Sequence, residues 1–369
     1  MCGICVFSFI VIGNCLYMKR ILFFFTFVVL LLLCSCQRSS LISLFEQMEN
    51  ISYVSLIQPS LSQSPYGLAL YDTLLVWMDP YDGKQLSLFD VRNGIQVHRF
   101  GFIGRGPGEM SMWPKGRKYQ KKYFHIYDNQ RSQILEFPIA EVAKDSAYRP
   151  ENSFSFLGTG LSCVTQVNDS LFIGETHQSN FIYALVNDRG HELFSGCSYP
   201  KDSWGEISPI AKSIAYQGNF FQNPDDNSLL AHVGINGVVI DILKIEDNRI
   251  IRKNRLEYIL PKYKPVIINE MFGALMDDDN IIGCCSVSVS KDFIYILYAD
   301  KTTINEHDER NERCSDIILA FDWSGQPIKY YRSDVDLYQI CVSENDQTLY
   351  GVAMNPEAEL VKFILSEMN

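Results

Sequence analysis

The sequence predicts an all-β fold, a six-bladed β-propeller of four-stranded antiparallel blades, with the ring closed by pairing an N-terminal strand with the C-terminal blade. Three observations predict it. One strand pattern recurs six times, its first copy sits inside a complete set of four strands, and its last copy runs almost to the C-terminus.

The first set of four strands is read from Tyr66–Asp72, Thr73–Asp79, Gln85–Val91 and Ile95–Gly101. Asp79-Pro80-Tyr81-Asp82-Gly83 and Arg92-Asn93-Gly94 separate them, and both are hairpin signals because Asp-Gly and Asn-Gly tolerate the backbone of tight turns. Four antiparallel strands over about 40 residues make one propeller blade. The third strand then recurs near Gln85, Gln133, Phe181, Gly237, Asp316 and Leu360, at spacings of 48, 48, 56, 79 and 44 residues. The charged stretch Asn305–Arg313 inside the 79-residue gap reads as an inserted loop. After Leu360–Leu365 no room remains for a fourth strand, and Ile51–Gln58 is expected to supply it, removing exposed edges. The propeller is therefore expected over residues 51–369, with 37–50 as a tether containing about one helical turn.

Residues 1–36 read as an export signal. Lys19-Arg20 precedes the apolar stretch Ile21–Leu33, whose 13 residues fall short of a membrane span. Met18-Lys19-Arg20 is the expected start, and residues 1–17 then either lie upstream of it or extend the signal. Leu33-Cys34-Ser35-Cys36 resembles a bacterial lipobox, with Cys36 as the lipidated residue. Several acyl chains would hold the protein stably on a membrane. Gln37 differs from the aspartate that retains lipoproteins at the inner membrane, which favours an outer-membrane, periplasm-facing address.

Removal of residues 1–35 takes two of the 32 basic residues and none of the 43 acidic ones, leaving a formal charge of −13. Such a chain is a poor fit to nucleic acid, which is held by clustered Lys and Arg. Beyond the anchor, Cys163, Cys197, Cys284, Cys285, Cys314 and Cys341 form no CxxC pair, and they are expected to be mostly buried thiols. The adjacent Cys284 and Cys285 lie in an apolar strand run, where neighbouring cysteines bridge only with strain.

The most distinctive segment is Gly104-Arg105-Gly106-Pro107-Gly108-Glu109, which leaves the outer strand of the first blade. Its spacing is not that of a nucleotide loop, and no helix follows it. Two readings stand. It either presents Arg105 and Glu109 near the mouth of the central channel, or it is an interblade turn whose charges are satisfied by backbone groups or by each other. The segment resembles that of the TolB-like six-bladed propeller lipoproteins of Bacteroidota, the BF3164-like group. The resemblance covers roughly residues 45–369, though only Gly104–Glu109 is motif-specific. It implies a fold and a location but no reaction, so it assigns no catalytic residue.

No other chemistry stands out. The six histidines, His98, His125, His177, His191, His232 and His307, show no metal-ligand spacing, and neither a metal nor a cofactor is expected. Asp277-Asp278-Asp279-Asn280 lacks the glycine and distal glutamate of a calcium loop and reads as a solvated turn, as does Asp225-Asp226-Asn227. Trp77, Trp113, Trp204 and Trp323 could line a sugar or peptide site, but blade packing uses the same residues. The expectation is a binding module for a peptide, glycan or envelope protein. The alternative is a propeller hydrolase or lyase acting on carbohydrate or a lactone. Convergence of His125, His177, His232, Glu175 and nearby acids at the axis would mark the enzyme.

Overall fold

The computed structural model describes residues 41–57, 66–119, 121–151, 153–177, 179–204, 208–268, 270–302, 314–354 and 358–368. The residues expected to form the signal, with Cys36, His307 and the stretch Asn305–Arg313, lie outside them. Leu41–Leu44 is one turn of 3-10 helix.

From Phe45 onward the chain is built almost wholly of strands. It begins with β1 (Gln47–Ile51) and β2 (Val54–Ile57). Blade 1 follows as β3 (Gly67–Tyr71), β4 (Leu74–Tyr81), β5 (Lys84–Asp90) and β6 (Ile95–Phe102). Blade 2 is β7 (Lys115–Tyr119), β8 (Tyr123–Asp128) and β9 (Gln133–Pro138), then helix α1 (Ile139–Val142) and β10 (Ser153–Ser155). Blade 3 is β11 (Leu161–Asn168), β12 (Leu171–Thr176), β13 (Phe181–Asn187) and β14 (Glu192–Ser198). Helix α2 (Pro209–Ala215) leads into blade 4, which is β15 (Gly218–Gln222), β16 (Leu229–Gly234), β17 (Val238–Glu246) and β18 (Arg249–Ile259). A separate antiparallel hairpin, β19 (Tyr263–Ile268) and β20 (Met271–Met276), comes next.

The last two blades are one sheet. They comprise β21 (Ile281–Val289), β22 (Phe293–Thr302), β23 (Ser315–Asp322), β24 (Pro327–Val342), β25 (Thr348–Met354) and β26 (Ala358–Ile364). β24 is 16 residues long and serves both blades. Its first half pairs with β23 as the outer strand of blade 5, and its second half, from Leu337, pairs with β25 as the inner strand of blade 6.

The six expected third strands are β5, β9, β13, β17, β23 and β26, each third in its blade. Their near-continuous apolar runs follow from burial on both faces. In β5, Leu86 and Leu88 pack toward blade 2, whereas Phe89 packs toward blade 6. In β13, Tyr183 and Leu185 join the core shared with blade 4, and Ala184 and Val186 that shared with blade 2. The hydrophobic core is thus a set of seams between neighbouring blades. The turns also match their residues. Asp82 and Gly83 both take positive φ (49° and 74°), as a two-residue hairpin of primed type requires. The side chains of Asp90, Asn187 and Asp322 each accept the backbone N–H two residues on, which starts the turn from third to fourth strand.

Ring closure occurs as expected. β2 pairs antiparallel with β26, with Val54 opposite Lys362, and supplies the fourth strand of blade 6. Two features differ from the sequence reading. Gln47–Asn50, expected as tether, forms with Ile51 a strand that adds in parallel to the outer edge of blade 5, with Gln47 opposite Lys329. Glu49 on it holds Lys329 Nζ at 2.6 Å and Ser366 Oγ at 2.5 Å, tying the two ends of the chain together. In addition, part of the long gap between blades 4 and 5 is the hairpin β19–β20, whose connecting Asn269-Glu270 lacks the glycine that marks the hairpin turns Asp82-Gly83 and Asn93-Gly94.

Candidate functional site: the central channel

The first strand of every blade faces a common central cavity of about 790 Å³. Its wall takes Gly67–Leu70 from β3, Lys115 and Gly116 from β7, Thr165 from β11, Asn219–Gln222 from β15, Cys284–Val289 from β21 and Tyr338–Val342 from β24. That volume lies within the roughly 300–1,000 Å³ usual for small-ligand sites. The wall is mostly apolar and neutral polar, with Lys115 from β7 and, toward one end, Lys121 and Glu344 as its charged groups. Ser286 and Ser288 of β21 accept the backbone N–H groups of Ile340 and Val342 of β24, at 3.1 and 2.9 Å. These hydroxyls stand in for a strand ladder where two innermost strands run side by side without sheet pairing.

The two ends of the channel differ. At one, Tyr66 and Trp113 meet edge to face with ring centroids 5.1 Å apart. Tyr66 donates to Gln85 Oε1 at 2.9 Å, and Gln85 Nε2 donates to the carbonyl of Ser111 at 3.0 Å, which fixes the loop that carries Trp113. Burial, with the Asp79 charge adding to it, holds the Tyr66 hydroxyl well above the usual phenol range, so it stays a donor. Trp113 is 50% exposed and has φ of +60°, a left-handed conformation that a bulky residue before proline rarely adopts. Of the four tryptophans, only Trp113 lines the cavity. Trp77 is buried between blades, whereas Trp204 and Trp323 donate to the carbonyls of Tyr263 and Ser290.

At the other end Lys121, in the first turn of blade 2, reaches Asp225 of blade 4 at 2.8 Å and Glu344 of blade 6 at 3.5 Å. Three alternate blades are thereby joined across that mouth by one side chain. The hydrogen bond from Lys121 holds the Asp225 carboxyl below its ordinary value, and Asp225 in turn raises the Lys121 ammonium.

The Gly104–Glu109 loop lies elsewhere, for none of its residues lines the cavity. The Glu109 carboxylate accepts the Gly106 N–H at 2.8 Å and the Arg149 guanidinium at 2.8 Å. Arg131 of blade 2 donates to the carbonyls of Glu109 (2.7 Å) and Gly104. Gly104 and Gly106 leave room for that carboxylate, since a Cβ on Gly104 would stand 2.0 Å from Glu109 Oε2. Gly108, at φ +68°, turns the chain against Pro150. Glu109 thus pins blade 1 to blade 2. Arg105 is exposed and has no partner among the described residues.

The candidate catalytic groups do not gather at the axis. His125 Nε2 lies 3.0 Å from Glu136 on the adjacent strand, and burial keeps its pKa below the usual imidazole value despite that carboxylate. His177 Nδ1 lies 2.7 Å from Ser213 Oγ on α2. Only Glu175 and His232 meet, at 2.7 Å between blades 3 and 4. None of these residues lines the cavity. The acidic runs behave as turns, with Asp277 and Asp279 paired to Lys264 and Lys262, and Asp226 to Lys244. No disulfide joins any of the six cysteines beyond Cys36, and burial pushes the Cys284 thiol far above its ordinary value.

A family model described as TolB-like 6-blade propeller-like matches residues 45–345. The chain belongs to the TolB-like six-bladed propeller family. Among solved structures, this TolB-like propeller is similar to BF0058 of Bacteroides fragilis NCTC 9343, named as an exported protein. The two share 12% identity at a TM-score of 0.52, over 87% of this chain and 99% of the other, which supports the fold alone. Hsv2 of Kluyveromyces lactis matches with 9% identity and a TM-score of 0.39, over 79% of this chain and 71% of its own. No curated protein matches the chain.

Proposed function

We propose that this protein is a binding propeller rather than an enzyme, lipid-anchored through Cys36 at the outer membrane and facing the periplasm. Its central channel takes a short, uncharged ligand, a glycan or a peptide stretch, by way of the Tyr66–Trp113 end. The observation that carries this reading is the cavity of about 790 Å³ lined mostly by neutral polar and apolar groups from all six blades, with Lys121 and Glu344 confined to the far end and Lys115 the one further charge on its wall. The half-exposed indole of Trp113 offers a flat apolar face of the kind that stacks on a sugar ring or a side chain. The far end, spanned by Lys121, favours a ligand that enters and leaves from one side. The lipobox and the signal before it support the envelope address. The test is to screen the purified protein against glycan and peptide arrays, with Trp113→Ala beside the native chain. Binding that is lost in Trp113→Ala, with unchanged melting temperature, supports the channel. Equal binding by both proteins moves the site elsewhere.

A further inference from the structure

Between blades 2 and 3, Lys115 Nζ lies 2.6 Å from Cys163 Sγ. That is shorter than an ordinary N–H···O hydrogen bond of about 2.7–3.2 Å, although sulfur is the larger atom. The protein holds a contrasting pair, Lys301 and Cys314, whose Nζ and Sγ stand 3.5 Å apart as in a simple hydrogen bond. The backbone around the first pair is shaped to bring its atoms together. Cys163 takes a φ of +51°, and the β11–β12 register is interrupted between Ser162 and Thr165, so the thiol sits in a bulge. Bulges re-aim side chains in this way. The Cys163 thiol also donates to the carbonyl of Gly218 at 3.1 Å, which fixes its rotamer. Lys115 lines the channel, so small oxidants can reach an otherwise buried sulfur.

We propose that Lys115 and Cys163 are an oxidative crosslinking site, at which one oxygen atom bridges Nζ and Sγ across the seam between blades 2 and 3. Peroxide is the oxidant. In the first step the sulfur attacks one hydrogen peroxide, the O–O bond breaks, and the thiol becomes a sulfenic acid with release of one water. In the second, a further peroxide removes two electrons and two protons from the sulfenic O–H and the Lys115 amine. The N–O bond forms and two waters leave. The sum is one thiol, one amine and two peroxides giving S–O–NH and three waters. Dithiol reductants reverse it. An exported chain meets such oxidants without the cytosol's reducing pool. The bridge would fasten the inner strands of two blades, so the oxidised ring melts higher than the reduced one.

The experiment uses the whole chain, treated with hydrogen peroxide or with dithiothreitol, digested without reductant and analysed by mass spectrometry. The expected product joins the peptide holding Lys115 to that holding Cys163, heavier than their sum by one oxygen less two hydrogens, and absent after dithiothreitol. The linkage is absent in Lys115→Arg and in Cys163→Ser, whereas no such product joins Lys301 to Cys314. The proposal is overturned if oxidised native protein, still cooperative on melting, shows Cys163 only as thiol or sulfinic acid with Lys115 unmodified. A direct S–N link lacking oxygen overturns it as well. The native chain alone decides, so a variant that fails to fold leaves the result standing.

Discussion

Glu175 Oε1 lies 2.7 Å from His232 Nε2 and also accepts the backbone N–H of Gly218, with both side chains closed off from solvent between blades 3 and 4. Burial alone would raise the Glu175 carboxyl. The His232 hydrogen bond and charge, with Lys115 and the Gly218 N–H, outweigh it and hold the pKa below 4.5. A carboxylate depressed in the folded state contributes stability above its unfolded value, and loses it as pH falls through the folded one. Glu175→Ala is expected to cost about 3–5 kcal/mol at neutral pH, because it leaves His232 buried without its partner. The cost should shrink in melts below pH 4.

His125 acts earlier in an acid titration. Its pKa is lowered by burial, so the folded protein favours the neutral ring. The stability this brings is present above the unfolded value of 6.5 and fades as pH falls through the folded one. Melting temperatures should therefore begin to fall below about pH 6.5. In His125→Gln the decline between pH 6.5 and 5 should be shallower, and an unchanged slope would count against the assignment.

Gly218 has no room for a side chain. A Cβ there would lie 2.5 Å from the carbonyl of Val233 and 2.6 Å from the His232 ring. Gly218→Ala is expected to destabilise by about 1–3 kcal/mol, as overpacking does. Chemical denaturation should show a lower midpoint with an unchanged slope.

The Gly104–Glu109 loop separates two roles that its sequence leaves entangled. Glu109→Ala removes the acceptor for Gly106 and Arg149 and should lower the melting temperature. Arg105→Ala should leave stability within about 0.5 kcal/mol, as for an unpartnered surface residue. If Arg105 helps capture a ligand, the variant binds less while melting like the native chain.

Much of this fold is legible because propellers repeat. The runs Gln85–Val91 and Asp316–Phe321 are apolar on both sides since each is sandwiched between blades, and their turns carry Asn, Asp and Gly. Strand β1 was not legible. Gln47-Met48-Glu49-Asn50-Ile51 has no alternation, as four of its five residues remain accessible and only Ile51 is buried. It is held by a parallel ladder and by Glu49, and neither leaves a periodic trace. The channel wall was equally hidden. Trp113 shows no sign in sequence of facing the axis rather than a seam, and the Lys115–Cys163 contact joins residues 48 positions apart through a bulge. Pro114 directly after Trp113 was the one local hint of an unusual backbone.

The N-terminal strands offer a direct check on closure. Deleting residues 45–57 removes β1, β2 and the Glu49 contacts to Lys329 and Ser366. Hydrogen exchange should then lose protection in β26 and the first half of β24 first, while blades 2 and 3 stay protected.

The continuity of β24 gives the ring a mechanical polarity. Elsewhere a blade ends, the chain crosses a loop, and the next blade meets it mainly through side chains, with a backbone hydrogen bond such as that from Gly237 to Ile281 between blades 4 and 5. At β24 the backbone passes from the rim of one blade to the hub of the next without leaving the sheet. Tension applied at the two termini would load the β1–β24 pairing, the Glu49 contacts and the β2–β26 ladder first, and then reach a doubled sheet that must be sheared rather than peeled. A circular permutant opened between blades 2 and 3 should tolerate its new ends better than one cut within Pro327–Val342, because only the second severs a strand shared by two blades.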